Sequence, residues 1–276
     1  MNKLGYALRR NPAAAVGLVA LAAWVVLALV GPSVLRFSHT AMDMESQLSA
    51  PGLNGHALGT DALGRDILSR IVYGSRSILS VALLTSLFSS VAGVALGFSA
   101  GYFGGKIDAA FMRFLDILMA IPPLVLSMVV LGALGDSSVG ALTLIVSIAY
   151  TPATARVARS ALLSCKSLEY VDAARLRGES HAYIMFVEIL PNAIGPILVE
   201  VTARFAYSIM MIASLGFLGV GLQPPTPDWG MMVIENKTVI REAPWAVLYP
   251  SLAIASLVIA VSLISDFLAK ALIHDE

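Results

Sequence analysis

The sequence predicts an all-α integral membrane protein with six transmembrane helices. The first observation is composition. Of 276 residues, 58% are hydrophobic and 13% charged, and the mean hydropathy is +0.82, whereas a soluble domain carries about 25% charged residues. The second is the placement of charge. Charge-free runs cover residues 11–35, 77–105, 117–135, 137–155, 205–227 and 243–265. Roughly 20 helical residues cross the hydrocarbon core, so each run is long enough to span. The third is a charged island at residues 169–192, held between the fourth and fifth runs.

The first run follows Lys3, Arg9 and Arg10. Its 25 residues exceed the 7–15-residue apolar core of a signal peptide, so it reads as a retained helix. The second run carries Gly93, Gly97 and Gly101 four apart, a spacing that lets helix backbones approach closely. Pro122 and Pro123 are expected to kink or interrupt the third span, with Asp116 as an anchor at its inner end. Only Asp136 separates the third and fourth runs, which predicts a tight hairpin. The fifth span is expected to begin near Ala193 and to include Glu200 and Arg204 near its end, four residues apart on one helical face and able to pair.

The remaining segments are loops larger than turns require. Residues 36–76 contain GTDALGRDILSR, and residues 222–242 contain QPPTPDWGMM, whose prolines favour extended or turn backbone. Both are candidates to shape a mouth. Trp229 and Trp245 are expected to anchor at an interface.

Six crossings put both termini on one side. With the N-terminus inside, the inner segments hold Lys3, Arg9, Arg10, Lys106, Arg113, Arg156, Arg159, Lys166, Arg175, Arg177 and Lys270, eleven in all. The outer segments hold Arg36, Arg65, Arg70, Arg76, Lys237 and Arg241, six in all. The positive-inside rule therefore places both termini, and the island, in the cytoplasm.

Several chemistries are disfavoured. Net charge is zero, which gives no field for nucleic acid. Cys165 is the one cysteine, so no internal disulfide or cysteine-held metal is expected. His39, His56, His181 and His274 all lie outside the charge-free runs. No Gly-x-x-x-x-Gly-Lys-Ser/Thr loop is present to cradle phosphates. No catalytic, cofactor-binding or metal-ligating residue is assigned, and the chain is not expected to be an enzyme.

The island reads EYVDAARLRGESHAYIMFVEILPN. Charged groups facing lipid tails cost on the order of 3 kcal/mol each, so this segment suits contact with a soluble partner. Ala173 and Ala174 offer a small surface. Glu169, Asp172, Arg175 and Arg177 keep it hydrated. Gly178 permits a left-handed break. Tyr183, Ile184, Phe186 and Val187 are expected to dock the second piece on the bundle, and Pro191 stands where the next span begins. The expected order is helix, break, helix, re-entry.

Asp172-Ala173-Ala174, three residues, Gly178, nine residues, then Glu188-Ile189-Leu190-Pro191 resembles the EAA loop of ABC importer permeases. Asp172 replaces the usual Glu, and Glu188 stands where an apolar residue or His is common. GTDALGRDILSR at 59–70, GYFGGKIDAAFMRFLDILMAIP at 101–122, SLGFLGVGLQPPTPDWGMM at 214–232 and PWAVLYPSLAI at 244–254 resemble the shorter, second-type permease of the dipeptide/oligopeptide/nickel branch. The similarity covers most of residues 55–270. The segment YTPATARVARS at 150–160, the pair Ser265-Asp266 and the C-terminal HDE depart from it.

This resemblance implies the type I importer permease fold. It implies an N-terminal segment, 1–76, with the first span and an outer loop, and a five-helix permease core, 77–276, with a cytoplasmic coupling loop at 166–191. It implies multi-pass residence in the bacterial cytoplasmic membrane, in contact with lipid. It further implies a homologous second permease, two ATP-binding subunits carrying ATP and Mg, and a periplasmic or extracellular substrate-binding protein. The implied ATPase-coupling residues are Glu169, Asp172, Ala173, Ala174, Arg175, Gly178, Leu190 and Pro191. The implied solute is a peptide or peptide-like molecule. The other readings are an ion- or proton-coupled secondary transporter, which needs polar groups deep in several spans, and a membrane-embedded enzyme.

Overall fold

A computed structural model of the chain describes residues 11–273. The positions Lys3, Arg9, Arg10 and His274 and the C-terminal HDE fall outside that range. Apart from one isolated bridge between Thr60 and Asp66, the regular structure of the described residues is helical. Five helices are long and apolar enough to cross a membrane, and six spans result if one bent pair counts as a span.

Helix α1, Pro12–Val34, is capped by the Asn11 side chain, which accepts the Ala14 N–H. Its packing face is made of small residues, Ala14, Gly17, Ala28 and Gly31, while Val16, Val19, Leu29 and Val30 are exposed. A Cβ on Gly17 would lie 2.7 Å from the Ala260 carbonyl oxygen. This helix therefore lies directly against the last one, α10, Trp245–Ile273.

Helix α2, Ile67–Phe103, starts ten residues before the charge-free run that predicted it. Asp66 caps it, with Oδ2 accepting the Ser69 N–H at 2.7 Å. Arg70, in its first turn, lies buried on the helix because Asp61 and Glu235 neutralise it. Its 37 residues span about 55 Å at 1.5 Å per residue, so it runs from one end of the molecule to the other. Gly104, with φ of 67°, ends it and redirects the chain into α3, Gly105–Met119.

Pro122 and Pro123 interrupt the next span, as their sequence predicts. Helix α3 and helix α4, Pro123–Leu134, meet at a bend of 78°. Gly135, with φ of 63°, terminates α4. Asp136 and Ser138 then form the tight connection to α5, Val139–Lys166, where the Ser138 Oγ caps the Ala141 N–H.

Helices α2 and α5 pack along the glycine stripe. Cβ atoms on Gly93 and Gly97 would meet Thr154 and Ala155 of α5, and one on Gly101 would meet Leu162 and Arg159. After the island, α8, Ile194–Phe217, begins where expected. It ends ten residues before its charge-free run does, because residues 218–227 are uncharged but rich in Gly and Pro and leave the helix. Helix α9, Trp229–Asn236, follows in the second loop.

Two buried clusters result. The larger joins α2, α5, α8, α9 and α10 around Ile78, Val146, Ile212, Trp229 and Leu257. The smaller gathers Phe98, Tyr102, Leu162, Val171, Ala174, Ile184, Ile189 and Ile197 at the island end. Trp229 is fully buried, donates its indole N–H to the Ile71 carbonyl at 3.0 Å, and packs 4.9 Å from the Trp24 ring. It is a core residue and not the interface anchor its loop position predicted, because the loop folds back over the start of α2. Trp245 is partly buried and donates to the Thr60 carbonyl at 3.2 Å.

Candidate functional site: the island and the opposite loop cluster

The island forms helix α6, Glu169–Leu176, a turn at Arg177 and Gly178, and a second helical piece, α7, over residues 181–192. Gly178 has φ of 78°, the left-handed value that glycine adopts at little cost. No atom lies within 4 Å of where its Cβ would stand, so backbone conformation alone demands glycine there. Ser180 caps the second piece, its Oγ accepting the Tyr183 N–H at 3.2 Å.

Helix α6 has two unlike faces. Val171 and Ala174 are buried in the smaller cluster, whereas Glu169, Asp172, Ala173, Arg175 and Leu176 face outward. Of the two alanines expected to form a small surface, Ala173 lies outside and Ala174 packs inside. They are adjacent, and a helix turns 100° per residue. Leu176 is 90% exposed, a bare leucine at the tip of the helix between Arg175 and Arg177. Its signal in the sequence is an apolar residue inside a charged run. Asp172 and Arg175 pair at 2.9 Å on the surface.

The second piece docks through Ile184, Met185 and Ile189, with Leu190 packed beside them. Tyr183 and Val187 are exposed, contrary to the expectation for these residues, whereas Phe186, though partly exposed, stacks on Phe98 of α2. The stretch Ile184–Ile189 is π-helical, so its periodicity exceeds 3.6 and the inward face drifts from the one an α-helix would present. Ile184 is inward, as expected. Glu188 accepts from Arg177 Nη2 at 2.6 Å, which ties the second piece to the turn. Pro191 is exposed in the last turn, three residues before α8.

The island is anchored to the long helices by polar contacts as well. Lys166 Nζ donates to the carbonyls of Gly101 and Tyr102 at 2.9 and 2.6 Å, satisfying acceptors that the end of α2 leaves free. The Tyr102 hydroxyl and His181 Nδ1 lie 3.0 Å apart. Nearby, Arg159 holds Asp108 through two bonds of 2.6 Å each, and Arg156 pairs with Asp116 on the surface. These bridges fasten α3 to α5.

At the far end of α2 the two large loops close on each other. Asp61 Oδ2 accepts from Arg65 Nε at 2.7 Å and from Arg70 Nη1 at 2.6 Å. Glu235 Oε2, on α9, accepts from Arg65 Nη2 at 2.7 Å and from Arg70 Nη2 at 2.9 Å. Two arginines and two carboxylates thus form a closed ring, with Asp61 and both arginines buried. The Ala62 N–H donates to the Asn236 side chain at 3.1 Å, and His56 Nδ1 meets Asp66 Oδ1 at 2.9 Å. Gly64, with φ of 70°, lets the loop cross Asp43, whose carbonyl oxygen would stand 1.8 Å from a Cβ. Beside the ring, burial pushes the Asp228 carboxyl up to about 6, opposed by its bonds from the Met231 and Leu222 N–H groups. Burial, then the charge of Arg70, lowers the pKa of His39. Residues 59–70 and 223–232, picked out as motifs in the sequence, are thereby brought to one place.

Comparison with known proteins agrees with this architecture. Residues 93–275 match the family described as binding-protein-dependent transport system inner membrane component. The dipeptide transport system permease protein DppC of Haemophilus influenzae is 35% identical over 99% of this chain and 94% of its own length. DppC of Alkalihalophilus pseudofirmus is 36% identical over 96% of this chain and 86% of its own. The glutathione transport system permease protein GsiD of Pectobacterium atrosepticum is 37% identical over 96% and 87%. A chain of the MetNI methionine ABC transporter, solved in inward-facing conformations, superposes with a TM-score of 0.62 at 18% identity, covering 74% of this chain and 96% of that one. That likeness shows a shared fold. The broken span, the glycine-packed helix pair and the exposed island therefore belong to a multi-pass membrane protein that is a member of the binding-protein-dependent transport system inner membrane component family.

Proposed function

We propose that this chain is the permease subunit of an ATP-driven, binding-protein-dependent importer for peptides or peptide-like solutes in a bacterial inner membrane. It would form the path with a second, homologous permease. Two ATP-binding subunits would dock beneath the island, and a substrate-binding protein would dock on the loop cluster. The N-terminus and the island face the cytoplasm in this reading, as the distribution of Lys and Arg supports. The relatives named as dipeptide and glutathione permeases support the solute class.

The observation that carries the proposal is the two-faced helix α6. Its inner face, Val171 and Ala174, packs on the second piece of the island and lies in one buried cluster with Phe98, Leu162 and Ile197, which belong to the island ends of α2, α5 and α8. Its outer face, Asp172, Ala173, Arg175 and the Leu176 tip, is bare. A push on the outer face would pass through the second piece and the shared cluster toward three spans. The Lys166 and Tyr102–His181 contacts stiffen that connection. ATP and Mg act on the partner subunits, whose closing and opening bias the permease pair only to the extent that their contacts with α6 differ between its two states. In this division of labour, residues 1–76 hold the first span and much of the loop cluster, and residues 77–276 hold the path and the coupling loop at 166–191. Glu169, Asp172, Ala173 and Arg175 contact the ATPase. Ala174 and Leu190 seat the island on the bundle, Pro191 turns the chain toward α8, and Gly178 sets its angle.

Gly178→Val tests this assignment. A β-branched residue resists a φ of 78° while meeting no neighbour. The variant is expected to insert normally but to lose the ATP hydrolysis that substrate-loaded binding protein stimulates. Full stimulated hydrolysis in the variant would contradict the assignment.

A further inference from the structure

Helix α8 carries a charged cluster inside an otherwise apolar span. Counting back the roughly 20 residues of a hydrocarbon crossing from its end at Phe217 reaches residue 198. Glu200 therefore lies near the boundary, while Arg204 lies about 9 Å within it. Arg204 Nε is 2.6 Å from Glu200 Oε1, in ion-pair contact but without an aligned N–H acceptor. Its guanidinium lies 5.2 Å from the Tyr150 ring centroid and 5.0 Å from that of Tyr207, within cation–π range of both. The Tyr150 hydroxyl donates to the Tyr207 backbone carbonyl at 3.1 Å, which ties the Tyr150 ring to α8. Thr154 Oγ1 approaches Glu200 Oε1 at 3.5 Å. Among the described residues, Arg204 Nη1 and Nη2 have no hydrogen-bond acceptor.

Two facts tell which way the cluster faces. Tyr207 is 50% exposed, so the cluster reaches the surface of this chain. An ionised side chain at this depth is disfavoured against lipid tails and faces the bundle interior or a water-filled cavity. Farther along α8, Met210, Ser214 and Phe217 line an apolar groove of about 570 Å³ between α4, α8, α9 and α10, within the size range of small-molecule sites. A guanidinium with free donors and a carboxylate, followed farther along the same helix by an apolar groove, match a short amphipathic solute bearing both ionic termini and an apolar side chain.

We propose that Arg204, Glu200, Tyr150 and Tyr207 form a solute subsite in the translocation path, with Arg204 taking a carboxylate, Glu200 an ammonium group, and the groove an apolar side chain. This rests on the importer reading above and assigns it a point of contact within this chain.

Uptake of alanyl-phenylalanine and of its C-terminal amide tests the subsite in cells that express the complete transporter. The same binding protein serves every strain, so its own selectivity cancels when acid-to-amide ratios are compared. The wild type is expected to carry both solutes. Arg204→Gln should lower the acid-to-amide ratio about tenfold, equivalent to about 1.4 kcal/mol. The exchanged pair Glu200→Arg with Arg204→Glu should keep the melting midpoint of the purified transporter yet leave the ratio low. Tyr207→Leu, at an exposed ring, should lower it about threefold without affecting folding. If the acid and the amide fall by equal factors in Arg204→Gln and Tyr207→Leu, or if the exchanged pair restores transport, the cluster is only a structural pair and the proposal fails. Uptake of neither peptide by the wild type would overturn the peptide-importer reading itself, and the subsite with it.

Discussion

Four glycines that a helix could in principle replace by alanine are expected to respond very differently. A Cβ on Gly97 would stand 2.2 Å from the Ala155 carbonyl oxygen and 2.9 Å from the Arg159 nitrogen. Ordinary contact begins near 3.4 Å, so the overlap exceeds 1 Å, and both obstacles are backbone that no rotamer change can move. Helices α2 and α5 must separate. Overpacking of this kind costs about 1–3 kcal/mol, offset by about 0.5–1 kcal/mol of improved helix propensity. Gly93→Ala meets Thr154 Cβ at 2.7 Å and should cost somewhat less. Gly101→Ala meets a rotatable methyl of Leu162 at 3.0 Å and should be near neutral. Gly132→Ala meets nothing within 4 Å and should gain the propensity outright. Thermal denaturation of the purified transporter in detergent should therefore rank Gly97→Ala lowest, then Gly93→Ala, Gly101→Ala and Gly132→Ala. About 1 kcal/mol moves the midpoint by roughly 2–4 °C in a chain of this size class. Equal midpoints for Gly97→Ala and Gly132→Ala would refute the packing argument.

The charged ring offers a second perturbation. Glu235→Gln leaves Arg65 and Arg70, both buried, with Asp61 alone. Breaking a buried pair from one side costs about 3–5 kcal/mol, and the partly exposed Glu235 places this case at the lower end. The expected outcome is early release of α9 from residues 59–70, read by hydrogen exchange at Ala62 and Asn236. Asp228 supplies a pH dependence. Its pKa rises from 3.8 to about 6 on folding, so the folded state binds the proton more tightly and stability falls as pH rises between about 4 and 6. The full shift of roughly two units bounds the loss at about 3 kcal/mol. Melting midpoints measured across that window should decline more steeply in the wild type than in Asp228→Asn, and equal slopes would contradict the assignment.

How much of this was legible in the sequence depended on whether a feature is local. Charge-free runs place the spans because the cost of charge in lipid acts residue by residue. Pro122 and Pro123 announce a break, but the 78° bend depends on what α3 and α4 pack against. The start of α2 was missed because Arg70 and Arg76 look like loop residues. Arg70 is helical since Asp61 and Glu235, the latter 165 positions away, neutralise it. The end of α8 was overrun because an uncharged Gly-Pro loop resembles a span to a charge count. In the island, the break at Gly178 was readable from the residue itself. The docking face was not, because the π-helical stretch shifts the periodicity on which face assignment rests. Trp229 shows the same limit, since nothing local says that a tryptophan beside three prolines will end in the core against Gly74 and Ile71.

The central claim is that this chain works only as part of an ATP-driven assembly that it contacts through α6. Purification of the intact chain from its native membrane in mild detergent, with every co-purifying chain identified, addresses it most directly. The account predicts a second six-span permease and subunits bearing the P-loop that this chain lacks. A chain that purifies alone, and that moves solute across liposomes without ATP, would contradict it.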